Sequence, residues 1–366
     1  MNGLRGGAVL FILMYHALVC IDTTQTSKLD QVIYLVAAFG FTGVNLLFVL
    51  STFLLTHSLW QKETLADYYL KRSVRWLPAY VVFGVVVCLF LRVWSPTDAI
   101  PHVYEPLVAT FTVNFLPAIY GAEPPGWYWI GHLWSIAVGV QVLLFWPFLV
   151  RWLSVRGLGF VCVLLVAGSW GFRIWLLNQG HNAPYPEPIV FFHTLSNLDS
   201  FATGGLLACA ACRWHLLEHF SPWWQPLGWL LVVVAGGLML TAPDKVSNDY
   251  RVHSHLFTIV ALMYAAFIAA ALTQRTESWL VRYFNSPMLQ WVGKYSLGIY
   301  LYHWPILALL KQSLHPRFLA WGSSNLVSYV VILLLSFSIS LLLGMLSWHL
   351  VEHPCLRRIE SGETDK

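Results

Sequence analysis

Apolar runs of about 18 or more residues recur along the whole of this 366-residue sequence. Each is long enough to cross the roughly 30 Å of hydrocarbon in a lipid bilayer. A backbone inside hydrocarbon must satisfy its own hydrogen bonds, which leaves helices as the economical solution for runs of this length. Charged residues make up 10% of the chain and hydrophobic residues 58%, against roughly 25% charged in ordinary soluble domains. The fold class is therefore all-α, a polytopic membrane protein. About ten transmembrane helices in one bundle are expected, at 4–20, 33–56, 76–94, 132–152, 158–177, 189–213, 223–241, 255–273, 295–310 and 326–351. The stretch 104–120 is apolar but interrupted by Pro106 and Pro117, so it is expected to be interfacial or re-entrant rather than spanning.

Lysine and arginine give the orientation. With the N-terminus inside, Arg5, Lys62, Lys71, Arg72, Arg75, Arg151, Arg156, Arg213, Arg275, Arg282, Lys294, Arg357, Arg358 and Lys366 all fall on the inner side, 14 of the 21. That is the bias the positive-inside rule describes. The connection 95–131, placed outside, has no Lys or Arg. Both termini are expected in the cytoplasm of a multi-pass membrane protein, with Trp127, Trp129, Trp223, Trp224 and Trp321 as an interfacial belt. The first segment has no small-residue cleavage site, and Val19 before Cys20 does not suit lipoprotein processing, so it reads as a retained span. One membrane domain at 1–354 and a short cytoplasmic tail at 355–366 account for the chain. Cys209 and Cys212 are spaced as a redox or zinc pair would be. They fall among small apolar residues, however, and read as helix-packing positions; no disulfide framework or metal site is expected.

Chemistry must then come from polar residues inside or beside the spans. In the first helix these are Arg5 and His16, eleven residues apart. At about 100° and 1.5 Å per residue they share one stripe roughly 16 Å long. An ionisable side chain at mid-bilayer depth is a functional candidate by its cost alone. Arg72 and Arg75, three residues apart, put two guanidinium groups on one face; these suit a phosphate-bearing ligand through bidentate bonds or anchor lipid head groups. The fourth helix carries His132-Leu-Trp-Ser135 and Gln141, a buried amide needing partners. The sixth carries Asp199. The ninth carries His303-Trp-Pro, and the last ends in Glu352 before Pro354; on their own these two read as an interfacial cap and a boundary charge.

Taken in order, these segments resemble the acyltransferase-3 family of integral inner-membrane acyltransferases, and the match covers nearly the whole chain. Asn2-Gly-Leu-Arg5-Gly with His16 is similar to the family's Arg-x10-His signature. GVNLLFVLSTFLL around Asn45 resembles its second-helix motif, and Arg72-Ser-Val-Arg75 its Arg-x-x-Arg motif. His132-Leu-Trp-Ser135 with Gln141, Leu198-Asp199 with Gly204, Tyr300-Leu-Tyr-His303-Trp-Pro and Val351-Glu352-His-Pro354 continue the series. The resemblance implies transfer of an acyl group, often acetyl, from cytoplasmic acyl-coenzyme A to a hydroxyl of a glycan or other cell-envelope acceptor. It implies catalytic roles for His16 and Arg5 and donor binding by Arg72 and Arg75. Asn45, Ser135, Gln141, Asp199, His303 and Glu352 are then substrate-facing or structural polar residues. Acyl-CoA is a co-substrate, and no permanently bound cofactor or nucleic-acid partner is expected. Membrane lipid and a glycan or glycosylated lipid are the expected partners. The chain resembles the stand-alone form, without a fused esterase-like domain. It departs from the pattern at three places: Asn45 and Gly139 stand where acids are usual, and Asn197 where an arginine is common. A non-catalytic carrier or scaffold is the alternative those departures suggest; a solute transporter ranks lower, since no inverted repeat is visible.

Overall fold

A computed structural model describes residues 1–18, 20, 27–61, 64–94, 105–121, 124, 126–179, 186–212, 216–241, 250–274, 278–314 and 325–364. Arg213, Arg275, Lys62, Lys366, Trp321 and parts of the outer connections (95–104, 122–123, 125, 180–185 and 242–249) fall outside them. Among the described residues there are helices and no strands. In chain order they are α1 (Asn2–Leu18), α2 (Lys28–Ala38), α3 (Gly43–Trp60), α4 (Leu65–Trp94), α5 (Glu105–Ala109), α6 (Leu116–Tyr120), α7 (Trp127–Ile130), α8 (Leu133–Trp152), α9 (Val155–Asn178) and α10 (Pro186–Phe192). Then come α11 (Thr194–Cys212), α12 (Leu216–His219), α13 (Ser221–Thr241), α14 (Tyr250–Thr273), α15 (Trp279–Phe284), α16 (Pro287–Lys294), α17 (Ser296–Ser313), α18 (Leu326–Ser347) and α19 (His353–Thr364).

Among the described residues every expected span is helical, and seven stretches of helix are long and apolar enough to cross a membrane. The three that are not, α1, α11 and α17, are shorter or more polar. Much of their surface is buried in protein, so they need not offer lipid a continuous apolar face. The lipid-type surface lies elsewhere: Val81, Val85 and Leu89 on α4, Phe160 and Val163 on α9, Leu230 and Val233 on α13, and Leu334 and Leu342 on α18 all point outward. Exposed apolar faces of this extent suit hydrocarbon.

Several boundaries differ from the sequence expectation. The second span is interrupted by a 3-10 turn at Phe39–Thr42, where Thr42 bonds the Phe39 carbonyl at 2.8 Å and meets the Tyr264 hydroxyl at 2.7 Å. Its first half starts on a capping box between Ser27 and Asp30, which satisfies two otherwise orphaned amides. Residues 67–75, left between the expected spans 33–56 and 76–94, are the opening of α4, where the Thr64 hydroxyl accepts from the Asp67 amide at 3.1 Å. The sixth span is two helices, α10 and α11, parted at His193. Residues 105–120 form only short helical turns and do not span. Trp127 and Trp129 are not belt residues: they are buried, Trp127 edge-on to Phe192 and Trp129 edge-on to Phe90. The last span runs through a π-helical turn at Trp348–Glu352 into α19, which crosses residue 354 without a break and packs on α4.

The first helix divides the interior. Val9, Ile12 and Leu13 belong to one buried cluster, with α4, α8 and α17. Leu4, Ala8, Ala17 and Leu18 belong to a second, with α2 and α14. A helix buried on both sides is apolar all round, as this one is except at its polar stripe.

Candidate functional site

Arg5, Arg72 and Arg75 line one cavity of about 340 Å³, within the usual range for small-molecule sites. Arg5 comes from the first turns of α1, and the other two from successive turns of α4. The aromatic residues of α4 hold those turns against α8: the Tyr68 hydroxyl donates to the Leu143 carbonyl at 3.3 Å and that of Tyr69 to Leu144 at 2.5 Å. Arg72 lies over the Tyr68 ring, 5.7 Å from its centre. The three guanidinium groups are close enough to repel one another, and Glu352 attracts Arg75 from the π-turn. Glu352 is thus no boundary charge. It is 3% exposed and accepts a hydrogen bond from the Ser347 hydroxyl at 3.1 Å. A cavity with three fixed cations and apolar walls is built for an anion carrying an apolar extension.

Away from the arginines, the cavity reaches Ser135 and Tyr300. Their hydroxyls are 2.6 Å apart, and Tyr300 donates to the His132 carbonyl at 2.7 Å. Since the phenol's single proton is used there, Ser135 donates to Tyr300. Gly139, where an acid is usual, also lines the cavity; a side chain added there would meet only the Phe48 ring edge, 4.0 Å away.

His16 does not line this cavity. It lies past the Tyr300–Ser135 pair, where its Nδ1 is 2.8 Å from Nε2 of His303. His303, fully buried, meets the Tyr300 carbonyl at 2.5 Å through Nδ1, so it is no interfacial cap. His132 stands edge-on to His303 with ring centres 5.4 Å apart, and its Nε2 donates to the Leu301 carbonyl at 2.9 Å. Trp304 packs edge-on against His16 at 4.6 Å. Two buried polar atoms in this group, His132 Nδ1 and Trp304 Nε1, have no hydrogen-bond partner among the described residues.

The other expected residues lie elsewhere and are fully engaged. Gln141 donates to the Phe111 carbonyl at 2.6 Å and to Asn114 at 2.9 Å, and accepts from Thr194. It thereby fixes Phe111, whose φ of 57° is costly for a residue with a side chain. Asn45 donates to the Ser200 hydroxyl at 3.0 Å. Asp199 pairs with Arg173 at 2.8 Å, both fully buried. Arg173 was not singled out from the sequence, although it is the one charged residue well inside the 158–177 run, and that isolation was the available signal. It also donates to Ser169, Thr258 and the carbonyls of Ser254 and Ser196. Asp199 thus has its guanidinium partner on α9, despite Asn197 on its own helix. Cys212 on α11 lies 3.0 Å from His57 Nδ1.

The family described as an acyltransferase domain matches residues 1–345. The chain belongs to the acyltransferase-3 family. Among curated proteins, the chain is similar to the peptidoglycan O-acetyltransferase of Listeria monocytogenes, 24% identical over 331 residues, covering 84% of this chain and 49% of that one. It is similar also to an O-acetyltransferase of Staphylococcus aureus, 22% identical over 376 residues, covering 98% of this chain and 57% of that one. The chain thus spans about half the length of the curated relatives it matches. No solved structure matches it.

Proposed function

We propose that this protein transfers an acyl group, acetyl in the simplest case, from acyl-coenzyme A to a hydroxyl of a cell-envelope glycan or glycosylated lipid. The observation that carries the reading is the three-arginine cavity leading toward the histidine group, in a chain of this family. The donor's phosphates are held by Arg72 and Arg75, with Arg5 lining the same cavity. Its thioester passes the Tyr300–Ser135 pair to reach His16. There His16 takes the proton of the acceptor hydroxyl, whose oxygen attacks the thioester carbonyl carbon. The carbon–sulfur bond breaks, and the leaving thiolate collects the proton from His16. The arginine end faces the cytoplasm, as do both termini, in keeping with the lysine and arginine bias of the inner membrane's cytoplasmic side. The glycan acceptor is supported by the similarity to the Listeria peptidoglycan O-acetyltransferase.

The test is transfer of label from radiolabelled acetyl-coenzyme A in membranes holding wild type, His16→Ala or Arg72→Ala at matched levels. Wild type labels a glycan or lipid fraction; His16→Ala lowers this by about 100-fold or more. Arg72→Ala raises the KM for the donor by about tenfold, the loss of one charge-assisted contact. Full transfer by His16→Ala would end the mechanism. Donor binding that depends on Arg72 and Arg75 without any product would mark a carrier instead.

A further inference from the structure

Around His16 the direction of each hydrogen bond is set by one atom that cannot donate. The Tyr300 carbonyl oxygen, 2.5 Å from His303 Nδ1, only accepts, so that nitrogen carries its proton. His303 has no exposed surface, and among the described residues no acid pairs with it. A second proton would therefore be a buried, uncompensated cation. Nε2 of His303 is then the lone-pair nitrogen, and His16 Nδ1, 2.8 Å away, must donate to it. The two rings are 21° from coplanar with centres 5.0 Å apart. With a 2.8 Å nitrogen contact, that is the geometry of two rings meeting edge to edge, where an N–H and a lone pair point at each other. One nitrogen of His16 remains, Nε2. It bears the lone pair, and no hydrogen bond within the described residues occupies it. His132 does not compete for the relay, because its own Nε2 is spent on the Leu301 carbonyl.

We propose that His303 is a positioning residue: the relay from the Tyr300 carbonyl through His303 holds His16 as the Nδ1–H tautomer, so that His16 Nε2 is the nitrogen presented to the acceptor hydroxyl. The proposal rests on the acyl-transfer reading for its purpose, but not for its geometry. In the transfer step, His16 Nε2 accepts the hydroxyl proton as the new carbon–oxygen bond forms. The Nδ1–H of the resulting imidazolium remains on the His303 lone pair, and the Nε2 proton passes to the thiolate as the carbon–sulfur bond breaks. Both rings return to their starting tautomers, and no proton is gained or lost.

The experiment is nitrogen-15 NMR of the full chain labelled at histidine, in bilayers, with His16→Ala used to assign the His16 signals. Wild type is expected to show His16 protonated on Nδ1. His303→Gln, whose amide oxygen can accept in place of Nε2, keeps that tautomer, whereas His303→Leu loses it. In the transfer assay His303→Leu lowers kcat by about 100-fold, the scale of a misdirected general base, with the donor KM within about twofold, and His303→Gln restores about tenfold of that loss. A wild-type His16 protonated on Nε2, an unchanged tautomer in His303→Leu, or equal loss of kcat in both variants would overturn the proposal. Absence of transfer by wild type would sink the acyl-transfer reading alone, and the tautomer would still decide this one.

Discussion

At the scale of single residues, the interior carries its charges in two opposite ways. Arg173 and Asp199 are paired, buried and surrounded by hydroxyl and carbonyl partners, whereas Arg5, Arg72 and Arg75 face an open cavity. A satisfied buried pair holds helices together, whereas cations facing a cavity keep their charge available to an anion. Truncating one member of the first group leaves the other an uncompensated buried charge. Arg173→Leu or Asp199→Leu is therefore expected to cost about 3–5 kcal/mol, while the double substitution recovers most of it. Thermal unfolding of the detergent-solubilised protein measures both, and additive losses would show that the two residues do not act as a pair.

At the scale of elements, the placement of the site depends on how closely helices approach. Gly298 on α17 sits against Gly344 on α18, and a Cβ at 298 would lie 2.5 Å from the Gly344 Cα. Tyr300 and His303 lie within two turns on the same helix. Gly298→Val is expected to cost about 1–3 kcal/mol through overpacking and to reduce transfer as well by shifting both residues. A melting midpoint and an activity measurement on one preparation check this, and a stability loss with normal activity would refute the coupling. The helical character of each span, the Arg72–Arg75 face and the Arg5/His16 stripe were legible in the sequence, because they follow from local periodicity and hydropathy. The His16–His303 bond joins residues 287 apart, and the Arg173–Asp199 pair joins two spans. No local pattern specifies such partners, so His303 and Asp199 were visible as polar residues but not as members of a relay and a clamp. The π-turn that buries Glu352 was hidden for a related reason: its register is set by α4 packing against it.

At the scale of the whole molecule, the arginine cavity and the histidine group lie at different depths along α1, about 16 Å apart by helix rise. Among the described residues, the hydrogen-bonded chain Ser135–Tyr300–His132 joins the cavity wall to the histidine group. A catalyst that joins a reagent from one face of a bilayer to a reagent from the other must not become a wire for ions. Under the proposed transfer, the small hydrogen-bonded layer that an acyl chain would pass is also the layer that would have to keep the membrane electrically tight. Tyr300→Ala is expected to make liposomes containing the protein leak protons several-fold faster than wild type, read with an entrapped pH dye after an imposed gradient. An unchanged leak would place the seal elsewhere. The organism's energy store would then set a limit on how wide this passage can become, independent of anything the acyl chain requires.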